Sequence, residues 1–175
     1  IKVEFPKLKY NFSIDALKYH FGDDYLQISN LKYHPTINKL TLANSYTFNT
    51  EIYDLKIKDV KLFKLDFEKI IESKGLFIDS VQLEEFDLKI YKDKRKPFDL
   101  NKRPNLPHQK LKAMKMPLLV HKVSFLKSDL VYEEKLEHKN VLMKVTMEDF
   151  KANIFNITSI KKYREVPLTF DMNTK

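Results

Sequence analysis

The sequence contains no cysteine and no tryptophan. Without Cys there are no disulfides, no thiolate nucleophile and no Cys-based zinc site. Glycine is nearly as scarce, with only Gly22 and Gly75. Two isolated glycines cannot build a Gly-rich phosphate loop, which excludes P-loop and Rossmann chemistry. No apolar run approaches the roughly 20 residues that cross a bilayer as a helix, and no signal peptide is visible. Arginine is rare too. Of 32 cationic residues only Arg95, Arg103 and Arg164 are arginines, which leaves 29 lysines.

That imbalance shapes the reading of the net charge of +8. Readers of bases and phosphates rely on the planar fork of Arg. Lysines that alternate with apolar residues instead mark a solvated sheet face or a protected edge. Nucleic acid is therefore not the expected partner. The 175 residues, 43% hydrophobic and 32% charged, fit one domain or one section of a larger assembly. Ile1 stands where a Met would open a reading frame, so the chain is read as a section of a longer protein. Three approximate units suggest themselves: residues 1–65, 66–105 and 106–175.

Most of the chain alternates with period two, the signature of strands with one apolar face. "NFSIDALKYHFGDDYLQISNLKYHP" predicts two strands about a turn at Gly22, Asp23 and Asp24. "KLTLANSYTFNTEIYDLKIKDVKLFKL" has apolar residues at Leu40, Leu42, Ile57, Val60 and Leu62, with a loop over residues 44–49. "DFEKIIESKG" predicts a short helix capped by Asp66 and stopped by Gly75, with Phe67, Ile70 and Ile71 on one face. "YKDKRKPFDLNKRPNLPHQ" holds Pro97, Pro104 and Pro107 and reads as a connector. A second helical turn follows in "HQKLKAMKM", stopped before Pro117. Strands resume after it, with a charged turn near Leu136 to Asn140, and "KKYREVPLTFDMN" opens a further strand.

One strand twice loses its rhythm. In "LFIDSVQLEEFDLKIY", residues 76–91, the apolar set moves from even to odd after Ile78, and back to even after Leu83. Shifted by 42 positions, the stretch falls on "LLVHKVSFLKSDLVYE". Ile78 meets Val120, Val81 meets Val123, Leu83 meets Phe125, Leu88 meets Leu130 and Ile90 meets Tyr132. Both breaks recur, and a short helix precedes each copy. The shorter pattern apolar-x-x-apolar-x-apolar returns at Ile28, Leu31 and Tyr33, at Ile57, Val60 and Leu62, and at Met147, Phe150 and Ala152. A single bulge explains one break. Its recurrence with the helix favours an elongated sheet that curls as it grows by similar units.

A short helix followed by apolar-x-apolar-x-x-apolar-x-apolar and a long alternating strand resembles the repeated unit of AsmA-like envelope proteins, a superfamily that includes TamB. Residues 50–160 carry the resemblance. They look most like the large Bacteroidetes members, with a basic connector (Asp93, Lys94, Arg95, Pro97), an "LP" helix start (Leu106, Pro107) and a strand ending in Tyr132, Glu133 and Glu134. The resemblance implies a periplasmic, inner-membrane-anchored protein of the cell envelope. Its curved sheet would carry phospholipid or other acyl chains between membranes, or support outer-membrane assembly, with envelope proteins as further partners. The family's N-terminal membrane helix is not in this sequence.

The expected fold is thus mainly β: a curved antiparallel sheet, an open groove or taco-like, of repeated helix-plus-bent-strand units with two short helices. Val81, Leu83, Phe86, Leu88, Ile90, Val123, Phe125, Leu130 and Tyr132 are the candidate lipid-groove lining. Their other reading is the closed core of a β-rich scaffold or protein-binding module, since burial contributes roughly 1.5–3 kcal/mol per large side chain against protein or lipid alike. Lys92, Lys94, Arg95 and Lys96 are candidates for head-group or membrane-surface contact, or simply a charged connector. Glu133, Glu134, Glu137 and His138 cluster near a turn, where charged residues are ordinarily just solvated. No nucleophile elbow or carboxylate pair is present. A non-enzymatic protein without cofactor or metal is expected.

Overall fold

The computed structural model describes residues 1–101, 106–137 and 141–173. Every strand among them joins one sheet. In chain order they are β1 (Lys2–Phe5), β2 (Tyr10–Ser13), β3 (Ala16–His20), β4 (Tyr25–Pro35), β5 (Ile52–Phe63), β6 (Leu76–Asp93), β7 (Leu118–Lys135), β8 (Leu142–Thr158) and β9 (Thr169–Asn173). The spatial order is β1-β2-β4-β5-β6-β7-β8-β9, with β3 also paired to β4. Three helices interrupt it: α1 (Lys39–Ser45), α2 (Phe67–Ile71) and α3 (Pro107–Ala113), with a 3-10 turn at Lys161–Tyr163.

The fold is mainly β, as the alternation predicts, but not wholly antiparallel. β6 and β7 run parallel. Their register pairs Ile78 with Val120, Val81 with Val123, Leu83 with Phe125 and Ile90 with Tyr132, the same 42-residue offset that aligns the two sequences. Parallel neighbours need a crossover of roughly a dozen residues or more. Residues 94–117 supply it, so the Pro-rich basic segment is the link that returns the chain to the starting end of β6.

Gly75 starts this pair. Its φ is +138°, and a Cβ there would lie 2.5 Å from the Pro117 carbonyl oxygen. That carbonyl accepts the Leu76 N–H at 2.8 Å. Only glycine allows the two chains to meet so closely.

Three helices form rather than the two expected. The extra one, α1, takes the stretch read as strand at Leu40 and Leu42. Asn38 caps it by accepting the Leu40 N–H at 2.8 Å. Leu42 is 0% exposed and packs with Ala43 against Tyr10, Ile52 and Tyr91. The gain from burying that pair outweighs a two-residue alternation. α2 is capped by Asp66 as expected, yet Phe67, Ile70 and Ile71 stay exposed. Five residues make too little helix to bury a face.

The first 35 residues hold three strands beyond β1, not two. The Gly22–Asp24 turn joins β3 to β4, with Tyr19 donating its hydroxyl hydrogen to Asp24. Both breaks in β6 keep one face apolar. Leu76, Ile78 and Val81 pack in one cluster, as do Leu118, Val120 and Val123, so the first break leaves the facing unchanged. At the second, Glu85 takes φ 50° and Lys127, 42 residues on, φ 49°. Asn30 in β4 (φ 52°) and Asp149 in β8 (φ 49°) do likewise. Lys58 in β5 lies between the rungs that pair Ile57 and Asp59 with Leu31 and Ser29 on one side and Phe86 and Glu84 on the other. A line of left-handed residues and skipped rungs therefore crosses five strands, and it becomes a register shift between β7 and β8, on both sides of Ser128.

β9 pairs with Lys151–Phe155 of β8, and among the described residues no strand pairs with the outer edge of Leu142–Glu148.

The left-handed positions and Gly75 give two expectations. Lys127→Val, a β-branched residue forced to positive φ, costs at least about 1 kcal/mol, while Lys127→Gly is neutral or stabilising. Gly75→Ala costs about 2–4 kcal/mol from backbone strain and overlap with Pro117. Thermal unfolding followed by circular dichroism checks both, at about 2–4 °C per kcal/mol for a chain of this size.

Candidate functional site

The candidate surface is built rung by rung across the sheet. Leu26, Leu62, Val81, Val123 and Ile154 form one row, and Ile28, Val60, Leu83, Phe125 and Ala152 the next. Between them runs a polar row, Gln27, Lys61, Gln82, Ser124 and Asn153. Successive residues point to opposite faces, so one face is apolar and the other polar. Past the bulge line the apolar rows continue as Leu31, Ile57 and Phe86, then as Tyr33, Leu55, Leu88, Leu130 and Met147. The last joins Tyr53, Ile90, Tyr132 and Val145.

All nine residues read as lining lie on this face, on two neighbouring strands. Phe86 and Phe125 meet edge to face with centroids 5.2 Å apart, and Phe125 lies 6.1 Å from Phe150. Ser128, fully buried and paired with Phe150, leaves room for these rings. Each of the nine is only half-buried. The accessible surface of 11818 Å² also exceeds the about 9,000 Å² of a compact protein of 20.9 kDa. Among the described residues no second sheet covers either face.

The sequence reading missed the flanking strands. Ile28, Ile57, Val60, Met147 and Phe150 extend the same face, and their signal was the three shorter matches to the apolar-x-x-apolar-x-apolar pattern.

The basic run is spent inside the molecule. Lys92 Nζ reaches Glu51 at 3.1 Å and Lys94 Nζ reaches Glu134 at 2.8 Å. Arg95 grips Asp93 with two bonds, Nε to Oδ1 at 2.9 Å and the terminal guanidinium nitrogen to Oδ2 at 2.6 Å. Lys96 Nζ donates to the carbonyls of Asn44 and Tyr46. All four head-group candidates thus have internal partners, which tie the crossover to the sheet and to the end of α1.

Those pairs show in the acidities. The Arg95 guanidinium holds the buried Asp93 carboxyl below its usual range, against the opposing effect of burial. Glu134 is lowered first by Lys94 and then by the Tyr132 hydroxyl, which donates to it at 2.6 Å. Tyr132 itself is pushed up to about 12, mainly by burial. The apolar face therefore ends on a polar cap of Tyr132, Glu134 and Lys94.

In the acidic cluster, Glu133 pairs with Lys39 and Glu134 with Lys94; His138 lies outside the described residues, as do Arg103, Pro104 and Asn140. Among the described residues no group of three metal-ligating side chains gathers, and no helix is long and apolar enough to cross a membrane. No protein-family model matches the chain, and no curated protein matches it.

A carboxyl that is more acidic in the folded state adds stability above its unfolded value, and that stability is lost as the pH falls through its folded one. Asp93→Asn is accordingly expected to cost about 1–3 kcal/mol at neutral pH. The gap between the parent protein and the variant should narrow steadily below the ordinary carboxylate range. Urea denaturation at several pH values measures it.

Proposed function

We propose that this chain is a non-enzymatic lipid-handling sheet of the cell envelope, whose apolar face holds acyl chains, in intermembrane phospholipid transport or outer-membrane assembly. The observation that carries this reading is the single-layer sheet with one continuous apolar face, half-exposed along β6 and β7 and buried at Ile57, Val60, Phe150 and Ala152 beside them. From Val81 to Ile90 that face runs about 30 Å at roughly 3.3 Å per residue. Half the roughly 30 Å hydrocarbon core of a bilayer is one acyl chain deep, so a chain fits lengthwise along a strand.

On this reading, α2 with β6 and α3 with β7 are two copies of one unit, laid side by side in parallel. The bulge line bends the sheet about its apolar side and turns that face into a trough. The resemblance to AsmA-like proteins of the periplasm supports the same assignment. On this reading the basic run fastens the crossover, since Lys92, Lys94 and Arg95 have acidic partners and Lys96 donates to two carbonyls.

The competing reading, a protein-binding scaffold with a sealed core, predicts a different response to one substitution. Phe125→Asp leaves a lipid-holding sheet folded, because the carboxylate reaches solvent across an open face. It unfolds a sealed core, where an unpaired charge is prohibitive. Circular dichroism together with mass spectrometry of extracted lipid separates the two. Phospholipid bound to the parent protein and lost from a folded Phe125→Asp variant supports the proposal. No lipid on the parent protein, or collapse of the variant, overturns it.

A further inference from the structure

The polar face holds a second feature, independent of the acyl-chain reading. At the end of the sheet where β6 and β7 begin, a cavity of about 660 Å³ opens between the connections that leave β5, α3 and β8. Its floor is apolar, with Phe77 and Leu119 from the parallel pair and Met114 and Ile160 from the links beside them. Its wall carries five lysines from three connections, Lys64, Lys69 and Lys74 between β5 and β6, Lys115 after α3 and Lys162 after β8.

Two of these are neutralised: Lys69 by Asp66 at 2.5 Å and Lys74 by Glu72 at 2.8 Å. Lys64, Lys115 and Lys162 have no carboxylate within ion-pair distance among the described residues. Asp79 is the one unpaired acid on the wall. Two positive charges are therefore left over around an apolar floor. Ammonium groups crowded at one opening repel one another, and an anion placed between them relieves that repulsion. The floor adds burial for an apolar body attached to the anion.

We infer that this cavity binds an amphipathic anion, a phosphate-bearing molecule with an apolar chain or ring, its phosphate among Lys64, Lys115 and Lys162 and its apolar part against Phe77 and Leu119.

Isothermal titration of the whole chain tests this with three probes: dodecyl phosphate below its micelle concentration, inorganic phosphate and dodecanol. Dodecyl phosphate is expected to bind at least tenfold more tightly than either of the others, and more weakly as salt is raised. The double variant K115E/K162E, both exposed turn positions, should lose at least tenfold in affinity with an unchanged circular dichroism spectrum. Should the double variant lose its fold, Lys162→Ala alone reads the same loss at about threefold, on the order of half that free energy. Lys89→Glu, at an exposed position on the far end of β6, should leave the affinity unchanged. Equal binding of dodecanol, or dodecyl phosphate affinity indifferent to the lysine variants, overturns the inference. An equal loss of affinity in Lys89→Glu overturns it too, whereas failure of the acyl-chain reading leaves it standing.

Discussion

Everything in this protein hangs on the parallel contact between β6 and β7. These two 18-residue strands lie at the middle of the sheet, and their in-register pairing brings like residues together rung after rung. Aliphatic meets aliphatic, Leu83 meets Phe125, and the left-handed Glu85 stands 42 residues before the left-handed Lys127. Were the register one residue off, every apolar side chain of one strand would turn to the polar face. Gly75 enforces the starting point, because only its missing Cβ lets Pro117 approach. The neighbours β5 and β8 then extend the same rows outward.

A single-layer sheet has no second layer to bury its apolar side, and this one compensates at its ends. One cluster gathers around Leu65, Ile78 and Val120, where the strands begin. The other gathers around Tyr10, Leu42 and Tyr91, where α1 closes the far end. Between them the β6 and β7 side chains of the apolar face stay half-buried, beside the buried Ile57, Val60, Phe150 and Ala152 of the flanking strands. The ion pairs of the crossover fasten the same far end, with Arg95 on Asp93 and Lys94 on Glu134. Burial is thus gathered at the two ends and on the flanking strands, and the β6–β7 strip of the apolar face is left partly accessible.

Much of this was legible in the residues. The shift from Ile78 to Val81 and from Leu83 to Phe86 marks positions where the chain inserts a residue and keeps its facing. All nine lining candidates consequently fall on one side. Three things were not legible. The alternation of Leu40 and Leu42 looks like strand, and only the partners Tyr10, Ile52 and Tyr91 select helix. The direction of β7 relative to β6 depends on how the chain returns through residues 94–117, which local pattern does not encode. The pairing of Lys92, Lys94 and Arg95 with acids depends on contacts that form only once the sheet exists, and a basic run looks identical whether its charges are free or spent.

The line of left-handed residues also governs what can be added to the sheet. β9 is described as far as the rung of Lys151, and among the described residues no strand pairs with the outer edge of Leu142–Glu148. An open edge with Leu142, Met143 and Val145 exposed would ordinarily recruit any extended segment and seed fibrils. Here a flat strand that zips along one side of the line falls out of step on the other. To match the full length of β8, an incoming strand must carry its own bulge at the same rung. The crease acts as a lock on the edge, open to strands cut to the same pattern and closed to the rest.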